Sequence, residues 1–328
     1  MMAEREFSSL RARLRPPALP DHDVADPVES SVIRALTRSW GIRATVKKRE
    51  PDLDDLFDPD RRDYPDELIP FRTHRRYRDL DENRRARLRA WAWIAYNKNV
   101  VDIEQFVVNP GFAAVTNDAL GIGPADTVVL GVMQAMVDEQ YHTLMHHNAS
   151  ALTRRRRGWV LPESVLPASR TVRAHRDAVA GAESPRAEAL VRLAFTTVAE
   201  TSISAYLALL TEDDTLQPVN RATVALHRRD ELCHASLAAE ILRIVFTDLG
   251  RTDRRVLLDA LAAGIVAFTG SDTATWAAIV EHERIPGAQE LIAETAAAAR
   301  SERVVQDCSA IRSLCTELGV ADDLHVDW

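Results

Sequence analysis

Asp138-Glu139-Gln140-Tyr141-His142 and Asp230-Glu231-Leu232-Cys233-His234 repeat one pattern far apart in the chain. Each reads as helix, and a Glu-x-x-His on a helix projects its carboxylate and imidazole from one face, about a turn apart. With 21 Glu and 10 His in 328 residues, chance supplies about 0.6 such pairs, so a single one would carry little weight. Two pairs, each preceded by Asp, carry much more. A lone glutamate in an apolar helical run lies 35 residues before the first pair and 31 before the second, namely Glu104 and Glu200. The order Glu, Glu-x-x-His, Glu, Glu-x-x-His is the ligand set of a carboxylate-bridged dimetal centre inside a four-helix bundle. The fold expected is therefore all-α and ferritin-like, with Glu104, Glu139, His142, Glu200, Glu231 and His234 meeting in the core.

The spacings support that topology. Gaps of 31 to 35 residues between partner ligands suit antiparallel helical hairpins, whereas the 58 residues from His142 to Glu200 suit the one long crossover of a ferritin-like bundle. A first bundle helix starts at Asp81-Glu82, whose acidic side chains complement the helix dipole, and is expected to stop or kink at Pro110. A second follows Gly123-Pro124, a third runs from about Pro185 to Leu210, and a fourth from about Pro218 to Leu249. The bundle thus occupies residues 81–250 of a single domain. Four amphipathic segments in 251–328 read as accessory helices: Arg254 to Phe268, Thr273 to Ile285, Ala288 to Ala299 and Arg303 to Leu318. Ahead of the bundle, residues 1–30 lack periodicity and read as a flexible extension. A short helix follows, up to Trp40. Residues 47–80, rich in Pro and Asp, read as an extended N-terminal arm packed on the bundle through Tyr64, Ile69 and Phe71.

Composition closes off other classes. The net charge of -8 argues against nucleic acid as a partner, because phosphate neutralisation needs a basic surface. Arg154 to Arg157 form a basic run that reads as a solvated helix end. No apolar run of membrane-spanning length stands out, and the N-terminal residues lack a signal peptide's apolar segment, so a cytoplasmic location with no membrane partner is expected. Cys233, Cys308 and Cys315 have neither the number nor the spacing for a disulfide framework or a thiolate site. Gly121-Ile122-Gly123 lacks the third glycine of a dinucleotide fingerprint, so reducing equivalents would come from an external donor.

Carboxylate and imidazole donors without thiolate suit iron, with manganese as a substitute. Each residue alone has a plainer reading: a buried Glu is more often paired with Arg, and a lone His more often hydrogen-bonded in a core. Together the six favour metal, since four uncompensated carboxylates in one core would cost several kcal/mol each without cations. Asp138 and Asp230 are candidates to accept hydrogen bonds from ligand imidazoles. His227 lies four residues before Glu231 and His146 four beyond His142. Spacing makes them equal rivals for a seventh ligand.

Asp63-Tyr64-Pro65-Asp66-Glu67-Leu68-Ile69-Pro70-Phe71, Tyr96-Asn97, Glu104-Gln105, Asp138 to His146, Ala199-Glu200-Thr201 and Leu226 to His234 together resemble the diiron arylamine N-oxygenases of the p-aminobenzoate N-oxygenase type. The resemblance runs from about Asp63 to about Leu318. It implies a homodimeric bacterial enzyme of secondary metabolism that uses two Fe ions, O2 and an external reductant to oxidise an aromatic amine, through the hydroxylamine, to a nitro compound. It also places the additional histidine ligand at His227, leaving His146 a supporting role. Two positions depart from the family pattern: Asn99 stands where the resemblance places Arg, and Ser204 where it places Asn. With Tyr96, these are the candidate substrate-facing residues. Loss of an Arg removes the natural bidentate partner of a carboxylate, so a substrate without the benzoate carboxylate is expected. Oxidation stopping at hydroxylamine or nitroso, carbon hydroxylation, and iron storage are the competing functions.

Overall fold

The computed structural model describes residues 30–49, 53–211, 213–298, 304–305 and 307–328. The expected extension over 1–30 falls almost wholly outside them. Among the described residues the regular structure is helical, apart from one isolated bridge between Arg62 and Leu216. The all-α, ferritin-like expectation holds.

The four bundle helices are α2 (Glu82–Ile103), α4 (Asp126–Arg157), α6 (Pro185–Thr211) and α7 (Pro218–Thr247). Helix α2 packs on α4, α6 runs along α7, and α4 packs on α7, so the two hairpins face each other. The crossover between α4 and α6 contains α5 (Arg170–Ala180). Helix α6 is long and apolar enough to cross a membrane by length and composition, which the sequence reading had not brought out. Most of that apolar stretch is buried within the protein, and it carries Glu200, so it is the central helix of the core.

Pro110 does not end the first helix. The chain instead makes a π-helical turn over Glu104–Val108 and continues as α3 (Asn109–Thr116), with Pro110 in the first turn of α3. The widened turn takes backbone pairing one residue further back, from the Asn109 amide to the Glu104 carbonyl, and a turn of this kind lets a helix run on past a proline. The Asn109 side-chain amide donates to the Glu104 carbonyl at 3.0 Å, helping to satisfy the widened turn. Helix α3 crosses α6 so closely that a Cβ on Gly111 would lie 1.9 Å from Thr196 Oγ1. Glycine is therefore required at that crossing.

Helix α1 (Ser31–Arg43) runs on past Trp40, where its sequence pattern was expected to end. It is capped by Ser30, whose hydroxyl accepts from the Ile33 amide at 3.4 Å, and it lies across α4 and α7. The arm that follows buries Tyr64, Ile69 and Phe71, and includes a 3-10 turn at Asp66–Leu68 and a helical turn at Arg75–Arg78. The arginine run at the end of α4 is not simply a solvated helix end. Arg157 donates to Asp63 at 3.0 Å and to the carbonyls of Pro59 and Arg61, and Arg155 and Arg156 reach Asp54. The arginines therefore clamp the arm. The accessory helices are α8 (Arg251–Thr269), α9 (Thr273–His282), α10 (Ala288–Ala298) and α11 (Ser309–Glu317), the last starting six residues later than expected. Helix α8 packs along α6, and Trp276 of α9 meets the Phe71 ring edge-on at 5.1 Å.

Candidate metal centre

The helix spacing acts as the sequence implied. Glu139 and His142 on α4, and Glu231 and His234 on α7, leave their helices on facing sides, while α6 brings Glu200 and the π-turn brings Glu104. All are essentially buried, as is His227. Their donor atoms form two overlapping groups, in each of which the atoms lie within 4.8 Å of one another. One contains Glu104, Glu139, His142, His227 and Glu231; the other contains Glu139, Glu200, Glu231 and His234. Glu139 and Glu231 belong to both, which is the placement bridging carboxylates need.

A cation fits these groups on the evidence of their unmet valences. Glu104 Oε2, Glu139 Oε1, Glu200 Oε2, both Glu231 oxygens, His227 Nε2 and His234 Nδ1 are buried without an aligned hydrogen bond, although some of them crowd one another closely. So many orphaned acceptors in one core would be strongly destabilising unless positive ions sat between them. Carboxylate and imidazole donors of this mixture suit iron or manganese.

Without such ions, protons must do the neutralising. Burial, then the charges of Glu139 and the other carboxylates, push Glu104 well above the usual carboxylate range; burial and the same neighbours do so for Glu200. Burial and Glu231 also act to raise Glu139, but His234 and His142 hold it at about 2. Glu231 is held well below its usual value, against burial, by His227 and His234. Burial disfavours charge on His142 and His234, yet Glu139 and its neighbours raise both well above the ordinary histidine value.

Asp138 and Asp230 contact imidazoles across the bundle, not within their own motifs. Asp138 of α4 meets His234 Nε2 of α7 at 3.2 Å, while Asp230 of α7 meets His142 Nε2 of α4 at 3.3 Å. Each bond turns the opposite nitrogen, Nδ1, toward the glutamates: His142 Nδ1 is 3.0 Å from Glu139 and His234 Nδ1 is 2.6 Å from Glu139. Sequence reasoning missed what holds the two aspartates. The Trp40 indole donates to both Asp138 oxygens at 2.9 Å, and the Thr45 amide donates to Asp230 at 3.0 Å. The only signal was the short helix ending near Trp40, and nothing in its composition marks it as a cover for the centre.

His227 and His146 separate clearly. His227 Nε2 faces Glu231 at 2.8 Å and Glu104 at 3.5 Å, while His146 stands behind it, with Nε2 2.9 Å from His227 Nδ1. His146 is outside both donor groups. Burial and the neighbouring His227 push its basicity well below the ordinary value. Cys233, between two candidate ligands in sequence, is half-buried and also outside them.

A cavity of about 1120 Å³ opens beside the bundle core, lined by Tyr96, Asn99, Tyr206, Phe268 and Trp276 among others. None of the seven candidate ligands lines it. Tyr96 stands between: its ring is stacked on Tyr206 at 4.6 Å and lies 6.4 Å from the His146 ring. Burial pushes the pKa of the Tyr206 hydroxyl up, and Asn99, which lies beside it, acts to lower it. Ser204 does not line the cavity; its hydroxyl accepts from Arg228 Nε at 3.3 Å.

A helical bundle enclosing two overlapping carboxylate–imidazole groups defines a ferritin-like protein of the dimetal-carboxylate class. Residues 26–319 match the family model of p-aminobenzoate N-oxygenase AurF, and the chain belongs to that family of oxygenases. It is 31% identical over 303 residues to 4-aminobenzoate N-oxygenase of Streptomyces thioluteus, covering 92% of this chain and 90% of the relative. The resemblance read from the motifs is thereby established.

Proposed function

We propose that the protein is a diiron arylamine N-oxygenase that oxidises an aromatic amine, through the hydroxylamine, to a nitro compound in bacterial secondary metabolism. The observation that carries this reading is the pair of overlapping donor groups sharing Glu139 and Glu231, together with membership of an N-oxygenase family. Glu104, Glu139, His142, His227 and Glu231 would hold one iron, and Glu139, Glu200, Glu231 and His234 the other. Bound there, the iron pair supplies the redox chemistry that activates O2. Electrons come from an external reductant, and manganese is the metal expected to substitute. A homodimer in the cytoplasm completes the reading.

The chain's own residues do the rest. Asp138 and Asp230 orient the two motif imidazoles, and buried aromatic side chains around Tyr96 keep the centre dry. Tyr96 is sandwiched between Trp93 and Tyr206, so it is Tyr206, on the cavity lining beside Asn99, that can offer a ring face to an aryl group. Of the cationic side chains on the lining, Lys98, next to Asn99, is paired with Asp102 at 2.6 Å, and Arg72 lies exposed. Arg170, elsewhere on the lining, donates to the Ser271 carbonyl at 3.1 Å. A wall with neutral Asn99 at this position favours an aryl amine lacking a benzoate carboxylate.

The test is to load the protein with Fe(II), supply O2 and a reductant, and follow a panel of aromatic amines by mass spectrometry. Oxygen should be added at nitrogen, with about two irons per chain. Tens of irons per chain, or oxygen added to ring carbon, would refute the reading. If p-aminobenzoate gives the highest kcat/KM in the panel, the inference about the carboxylate is wrong. Replacing Asn99 by Arg should raise preference for carboxylated amines by about 10-fold, the value of one charge-assisted hydrogen bond.

A further inference from the structure

The geometry points to Asn97 and His146 as positioning residues that fix the tautomer of His227, turning a bare Nε2 toward the carboxylates. The argument starts from a group whose polarity is not in question. The Trp93 carbonyl can only accept, and Asn97 Nδ2 lies 2.7 Å from it, so the amide nitrogen of Asn97 must face that way. Its oxygen then faces His146 Nδ1 at 2.6 Å. An amide oxygen also only accepts, so His146 Nδ1 carries a hydrogen. In a neutral imidazole the other nitrogen is then bare, and His146 Nε2 accepts from His227 Nδ1 at 2.9 Å. His227 is left with its lone pair on Nε2, 2.8 Å from Glu231 Oε1 and 3.5 Å from Glu104 Oε1.

Reversing the direction would require the Asn97 amide to flip, setting its oxygen against the Trp93 carbonyl oxygen. That contact is repulsive, and all three side chains are buried where water cannot relieve it. A bare nitrogen beside carboxylate oxygens is likewise unfavourable until a cation lies between them. The relay therefore prepares His227 as a donor. It also differs in kind from the other two imidazoles, which are oriented by carboxylates through Nε2 and present Nδ1. His227 is oriented by neutral groups through Nδ1 and presents Nε2.

This inference rests on the centre being a metal site, and its test uses Zn2+ alone as a redox-silent probe of the full chain. In the Zn2+-loaded protein with nitrogen-15-labelled histidine, NMR should find the proton of His146 and of His227 on Nδ1. A His146 proton on Nε2 would overturn the relay, and this readout needs no variant to fold. H146L, which cannot accept from His227, should weaken Zn2+ binding at one of the two positions by about 10- to 100-fold. H146Q offers a carbonyl to His227 and an amide N–H to Asn97, so its affinity should stay within about threefold of wild type. Folded leucine and glutamine variants that both bind Zn2+ as wild type does would overturn the relay alone. A wild-type protein that takes up no Zn2+ would overturn the reading of the centre as well.

Discussion

The α2–α4 and α6–α7 hairpins carry the same pattern, a lone glutamate and then Asp-Glu-x-x-His, but they are not equivalent. In α6–α7 the glutamate sits in regular helix, and a histidine, His227, is added one turn before Glu231. The corresponding position before Glu139 is Ala135. In α2–α4 the added histidine, His146, lies one turn beyond the motif and supports His227 from behind. Glu104 is on a π-turn, the kind of local widening that concentrates at functional sites. The comparison teaches that matching ligand spacing creates two linked positions, while departures from symmetry make those positions chemically different: one donor group has two imidazoles and the other has one.

Removing the shared glutamates should erase the distinction altogether. Glu139→Ala or Glu231→Ala is expected to lose both ions, whereas Glu104→Ala or Glu200→Ala should retain one. Metal analysis of the purified variants decides this, and equal losses in all four would mean that Glu139 and Glu231 do not bridge. A smaller effect is expected at the crossed aspartates. Asp138→Asn and Asp230→Asn should each lower metal affinity by about 10- to 100-fold, since partners of ligand imidazoles have effects of that size. Trp40→Phe should weaken binding on the Asp138 side only, and a metal titration that resolves two affinities would show whether it does.

Two stability tests sharpen the contrast in backbone. Gly111→Ala forces a methyl group into Thr196 at the α3–α6 crossing, and should cost about 1–3 kcal/mol, read as a lower Tm. Asn109→Ala removes the side-chain bond to the Glu104 carbonyl and should cost about 1 kcal/mol. A Tm unchanged in the second variant would show that the π-turn is held by its packing rather than by that amide.

The bundle and the approach of the six motif residues were legible because both follow from helical periodicity, which is a local property of the chain. Two imidazoles and four glutamates could be placed on inward faces by counting residues. Spacing alone could not choose between His227 and His146, each one turn from its own motif; that choice came from the family resemblance, and the structure places only His227 among the carboxylates. Counting also gave no sign of the π-turn ahead of Pro110, which adds a residue to one turn of helix and lets the chain run on past the proline. It gave no hint that Arg157 closes on Asp63, or that Ser204 turns away to Arg228.

The sequence by itself determined the helical class, the donor set and the two-hairpin topology, since these depend on residue type and on spacing along a helix. Tertiary structure decided which aspartate serves which histidine, that Trp40 and Thr45 hold those aspartates, and that Asn97 reaches His227 through His146. These contacts join residues 49 to 185 positions apart. No periodicity relates such partners, and only the packing of one helix against another fixes which nitrogen of each imidazole faces the carboxylates.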